Sequence, residues 1–203
     1  MSHLYCLLAV AIWSSLELTG KLVGAEINPF ALTAWRFIFG GLALLPLALR
    51  NTDEVIKKLS KSSILHIGSL GILNVCVSML LLQLAIYYGK ASLSAVIVGM
   101  NPLFVSVFAM LLLKEKLNLP QIFSLVCGLL GLGLIIAAEK DLGSPQYRNL
   151  NAGIILSILA AITFGFYTVL TKSAVSKYGN FFTNSLSFLM GGLVLTIVNL
   201  LIG

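Results

Sequence analysis

Few side chains in this sequence can do chemistry, and several of those that can sit inside long apolar runs. Glu17 and Lys21 are four residues apart with the acid first, the favourable orientation for a helical ion pair, and Trp13 falls one turn before Glu17 on the same face. Arg36 is a second isolated charge. If these runs lie in lipid, Glu17 and Arg36 are each about six residues from the same membrane face, ~9 Å deep at 1.5 Å per residue. An unpaired charge there costs at least about 2.5–3.5 kcal/mol, so the two are expected to pair. Three readings stay open: a structural ion pair, a substrate or proton site, and snorkelling of both side chains to the interface.

Neutral polar groups recur at mid-run positions. Asn74 and Ser78 lie within 64–88, and Asn101 lies within 91–113 beside Pro102. Pro102 removes one helical hydrogen bond and frees the carbonyl of Val98, which needs a cavity or a neighbour to satisfy it. With Tyr167 from a later run, the candidate substrate-binding or ion-coupling set is Trp13, Glu17, Arg36, Asn74, Ser78, Asn101 and Tyr167, with Pro102 as a kink. The competing use of such groups is interhelical hydrogen bonding, worth about 0.6 kcal/mol each. No metal site or cofactor is expected, since Cys6, Cys76 and Cys127 are far apart with no His or Cys at ligand spacing. Membrane-embedded enzymes are excluded by inventory. The only aspartates, Asp53 and Asp141, fall between runs, and neither His3 nor His66 is deep in one; a seven-helix photoreceptor is excluded as well, since the last run has no lysine for a Schiff base.

These residues must be positioned by helices. Of the 203 residues, 59% are hydrophobic and 10% charged, with mean hydropathy +1.02, whereas a soluble domain carries about 25% charged residues. Apolar runs of bilayer length cover roughly 4–23, 30–49, 64–88, 91–113, 119–138, 152–171 and 181–202. They are continuous rather than alternating, which excludes a closed barrel and predicts an all-α integral membrane protein of seven transmembrane helices. The first run continues through Glu17 and Lys21 with no basic segment before it, unlike a cleaved signal peptide.

The net charge of +6 reads as a topology signal rather than a nucleic-acid surface. Arg50, Lys57, Lys58, Lys61, Lys114, Lys116, Lys172 and Lys177 fall on one side, against Lys21, Lys90, Lys140 and Arg148 on the other. This bias of eight to four predicts a cytoplasmic N-terminus and an external C-terminus in the cell (inner) membrane. Lys114, Glu115 and Lys116 form an anchoring cluster at an inner end.

Segment 9–49 lies over 160–200 without gaps at an offset of 151 residues. Trp13 meets Phe164, Lys21 meets Lys172, Phe30 meets Phe181, Phe37 meets Phe188, and Gly40-Gly41-Leu42 meets Gly191-Gly192-Leu193. Five runs precede the second copy, and five is odd, so that copy enters the membrane from the opposite side. Such inverted repeats supply the two near-equivalent states of alternating access. The organisation read here is a five-helix repeat at 1–143, a linker at 144–151 built on Gly143, Ser144 and Pro145, and the first two helices of an inverted repeat at 152–203.

Residues 85–137 resemble the third-to-fifth-helix signature of the EamA-type drug/metabolite transporters. The similarity rests on the small-residue helix start (Ala91, Ser92, Ser94, Ala95), Pro102 and the apolar run after it, Glu115 with its basic neighbours, and the glycine-rich fifth run. Trp13, Arg36-Phe37 and the renewed pattern after Gly153 extend it. The resemblance implies a secondary transporter moving a small metabolite or drug-like solute, in contact with membrane lipids and a small-molecule substrate and with no nucleic acid. The family pattern is ten spans, so the seven here imply completion by a homodimer or by a missing C-terminal half. The alternative from another class is a non-transporting seven-helix scaffold or receptor-like protein.

Overall fold

The structure is a computed structural model that describes residues 2–23, 26–50, 59–139 and 147–202; within the first helix the side chains of Trp13 and Glu17 lie outside the described residues. Among the described residues seven helices follow one another: α1 (Ser2–Val23), α2 (Pro29–Leu49), α3 (Lys61–Tyr88), α4 (Ala91–Leu113), α5 (Leu119–Ala137), α6 (Leu150–Tyr178) and α7 (Asn180–Ile202). No strand occurs among the described residues. The six helices α2–α7 are long and apolar enough to cross a membrane.

Local chemistry sets the ends. Asn28 caps α2, its Oδ1 accepting from Phe30 N at 2.9 Å, with Pro29 at the first helical position, where no N–H is needed. Asn118 and Gln121 form a reciprocal capping box at the start of α5. Asn149 caps α6, accepting from Ala152 N at 3.0 Å. That helix therefore begins at Leu150, inside the segment read as a linker. It also runs to Tyr178, seven residues beyond the apolar run, because Ala174 and Tyr178 bury against Ile67 and Leu70 of α3. Gly179, at φ 82°, alone joins α6 to α7, a backbone angle that glycine adopts without steric cost.

Two helices depart from regular geometry where the sequence places polar groups. In α3, residues Ile72–Met79 form π-helical turns, and Ser78 Oγ donates to Leu73 O at 3.1 Å, five residues back as the wider turn allows. In α4 the α-helix is interrupted at Met100, between Ala91–Gly99 and Asn101–Leu113. Pro102 falls in the first turn of the second piece, where its missing N–H costs nothing.

Close helix approach depends on glycines. The broadest contact joins α2 to α7. A Cβ on Gly41 would lie 2.8 Å from Leu189 Cγ, and one on Gly192 would lie 2.8 Å from Ile38 Cγ1. These contacts are reciprocal, since 41 and 192, like 38 and 189, are separated by the same 151-residue offset. Phe37 and Phe188, a pair with that offset too, meet edge to face with centroids 4.9 Å apart. In contrast α5 buries only Leu132 among its described residues and turns most of its surface outward.

Candidate functional site

Where α2, α3, α6 and α7 converge, they enclose a cavity of about 320 Å³ lined by Arg36, Phe37, Gly40, Asn74, Met79, Phe164, Tyr167, Asn184 and Phe188. Each helix contributes for a local reason. The π-helical stretch of α3 places Asn74 in the wall, where it is 2% exposed and its Oδ1 has no hydrogen-bond partner among the described residues. Leaving such an acceptor unpaired costs about 1–3 kcal/mol, the kind of local conflict that concentrates at functional sites. From α6, Tyr167 donates its hydroxyl to Asn184 Oδ1 on α7 at 3.4 Å, and Asn184 Nδ2 donates to Asn180 Oδ1 at 2.6 Å. Arg36 places its guanidinium carbon 5.1 Å from the Phe37 ring centre.

Tyr167 and Asn184 also line a second cavity of about 460 Å³, which reaches Glu115 and Lys172. Lys172 Nζ lies 2.9 Å from Glu115 Oε1, and both residues line it. Glu115, read from sequence as part of an anchoring cluster, thus also ties the α4–α5 connection to α6. The bonded pair Tyr167 and Asn184 is thus common to the linings of both spaces. A third hollow, also of about 460 Å³, lies between α4 and α5 and includes Pro102, Ser106 and Gln121. Its amide, Gln121, is occupied by the capping box and Ser106 by the carbonyl of Pro102, so it offers little for recognition.

The opposite end of the bundle is held differently. Lys21 donates to the carbonyls of Ile86 at 2.9 Å and Gly89 at 2.6 Å. A cation there satisfies the last acceptors of α3 and meets the negative end of its dipole. Lys90 pairs with Glu139 at 3.3 Å, and Arg148 donates to the Tyr87 hydroxyl while lying over its ring.

Of the residues predicted from sequence, Arg36, Asn74 and Tyr167 come together in the first cavity. Ser78 is buried one turn away on α3, bonded to its own helix. Asn101 faces α6 instead, where its Oδ1 lies 3.2 Å from the Cβ position of Gly165 and has no partner among the described residues. Trp13 and Glu17 lie outside the described side chains, and with them the expected Glu17–Arg36 pair. Sequence reasoning missed Phe164, Asn184 and the lining role of Phe37, Phe188 and Gly40. Phe164, Phe37, Phe188 and Gly40 were visible as residues matched at the 151-residue offset, whereas Asn184, near a run's end, carried no depth signal.

Apolar helices of bilayer length around a small, mostly apolar cavity with a few convergent polar groups define a multi-pass membrane protein with a solute-sized site. The chain belongs to the EamA-like transporter family, whose sequence model matches residues 1–137. It is 32% identical over 204 residues to an uncharacterised transporter of Clostridium kluyveri, covering 99% of this chain and 65% of that protein. It is 31% identical to a riboflavin transporter of Fusobacterium nucleatum, covering 81% of this chain and 56% of the relative. With an S-adenosylmethionine uptake transporter of Rickettsia conorii it shares 24% identity over 84% of this chain and 54% of that one. The chain therefore spans less than two thirds of the length of these relatives. Their names, like the family's, point to transport rather than catalysis. No solved structure matches.

Proposed function

We propose that this chain forms the core of a secondary transporter that moves a small metabolite or drug-like solute by alternating access, through the cavity between α2, α3, α6 and α7. The observation that carries this is the convergence of Asn74, Tyr167 and Asn184 with three phenylalanines in one mid-bundle cavity, next to a second cavity that shares Tyr167 and Asn184. In this reading the Tyr167–Asn184 bond is the barrier between them, and Lys172–Glu115 and the Lys21 cap act at opposite ends. The α1 helix is the seventh span, and Glu17 is the partner proposed for Arg36. The inverted repeat, residues 1–143 against 152–203, is supported by the reciprocal Gly41–Leu189 and Gly192–Ile38 contacts and by the Phe37–Phe188 pair. Such self-complementary contacts are what a two-fold relation between α2 and α7 generates.

The test is counterflow in proteoliposomes. Vesicles carrying the protein and preloaded with unlabelled solutes of the classes named for the relatives should concentrate the matching labelled solute transiently. Absence of counterflow for every solute that binds the purified protein would overturn the reading. Topology is tested separately: an alkaline phosphatase fusion after residue 202 should be active in the inner membrane of a bacterial host and a fluorescent-protein fusion there dark, and the reverse pattern would reject the proposed orientation.

A further inference from the structure

The cavity's chemistry narrows what it can hold. Its walls are aromatic on two sides: Phe164 and Tyr167 from α6 lie nearly parallel, 19° apart with centroids 6.1 Å apart, and Phe188 from α7 stands edge-on to Phe37. Such surfaces favour a flat partner. The amide groups of Tyr167's partner Asn184 are already engaged with Tyr167 and Asn180, whereas Asn74 Oδ1 is buried without a partner among the described residues. The terminal torsion of an asparagine is broad and soft, so the Asn74 amide can turn its edge to the cavity. That edge carries an acceptor beside a donor, the pattern that pairs with an N–H next to a lone-pair acceptor on a ring.

Charge excludes other classes. Arg36 stands in the same wall, and with Glu17 as its proposed partner the wall has no spare counter-charge to offset the desolvation of a charged ligand. The negative faces of the aromatic rings and the Asn74 carbonyl disfavour an anion. A sugar would bring many hydroxyls to a wall with few polar groups to receive them. We infer that the cavity takes a neutral, planar nitrogen heteroaromatic, held between Phe164, Tyr167 and Phe188 and read by Asn74 through an adjacent ring N–H and acceptor. This rests on the proposed transport site and names its substrate class.

The experiment compares theobromine, whose ring N–H is flanked by carbonyl groups, with caffeine, the same ring with that N–H methylated. Binding to the purified chain in detergent is read by calorimetry, with benzoate and benzylamine as charged probes. Theobromine should bind about ten- to a hundredfold more tightly than caffeine, the range expected when a buried acceptor loses its donor. In Asn74→Leu the ratio should fall to about one with caffeine binding little changed, and in Phe164→Leu both probes should weaken together. Equal binding of theobromine and caffeine to the unaltered protein, no theobromine binding, or tighter binding of either charged probe would overturn the assignment. Counterflow keeps the two proposals apart. Flux of another solute without theobromine binding sinks only the ligand class, and theobromine binding without any flux leaves the site standing while removing transport.

Discussion

Gly71 offers a sharp test of how the bundle is assembled. A Cβ at this position would lie 2.2 Å from the Ser187 carbonyl oxygen and 2.9 Å from its carbon, both backbone atoms of α7. Carbon and oxygen ordinarily approach no closer than about 3.3 Å, so Gly71→Ala must push α7 away from α3 by about 1 Å. Neither helix can relax by a rotamer change. Overpacking of this kind costs about 1–3 kcal/mol, and a backbone clash belongs at the upper end. Alanine returns up to about 1 kcal/mol through its better helix propensity, leaving a net loss of about 2 kcal/mol. Gly133 on α5 is the control, because a Cβ there meets nothing within 4 Å. Gly133→Ala should therefore gain up to about 1 kcal/mol. At about 2–4 °C per kcal/mol for a chain of this size, the apparent melting temperature in mild detergent should fall by about 4–8 °C for Gly71→Ala and rise by about 2–4 °C for Gly133→Ala. Size-exclusion profiles after stepwise heating measure both. Shifts of the same sign, or an unchanged Gly71→Ala, would refute the α3–α7 packing described here. A displaced α7 also carries Asn184 and Phe188, so binding in the cavity should weaken in Gly71→Ala and not in Gly133→Ala.

Lys21→Met keeps the aliphatic stem but strands the Ile86 and Gly89 carbonyls, and should lower stability by about 1.5–3 kcal/mol, measured by the same heating assay. The Lys172–Glu115 pair is 64% and 51% exposed, so Lys172→Met should change stability by no more than about 1 kcal/mol, while shifting solute uptake if the pair closes the second cavity. Tyr167→Phe removes the hydroxyl and with it the long 3.4 Å bond to Asn184, and should leave the melting temperature within a few degrees while raising leak through the bundle in a proteoliposome flux assay. Glu17→Gln alone should damage expression and thermal stability more than Glu17→Gln with Arg36→Gln, because the single change strands a charge and the double change does not; additive effects would mean the two do not touch.

What the sequence by itself determined is the solvent and the elements. Continuous apolar runs can satisfy their backbone in lipid only as helices, and the described helices coincide with those runs except where side chains rather than hydropathy set the end. Tyr178 shows the exception: the last turns of α6 are polar in composition and stay helical because Ala174 and Tyr178 bury on α3. The same holds for Asn74. Its mid-run position marked it as costly, but nothing local announces π-helical turns over Ile72–Met79, which place it in a wall shared with α2, α6 and α7. Asn101 looked equivalent to Asn74 in sequence, and tertiary packing separated them, turning one to the cavity and the other to Gly165. The residues matched at the 151-residue offset were legible because identity at a fixed offset needs no structure. That Phe37 and Phe188 touch, and that Gly41 and Gly192 each admit the other helix, was decided by the antiparallel packing of α2 on α7, since a contact between residues 151 apart depends on how two helices cross and not on either one alone.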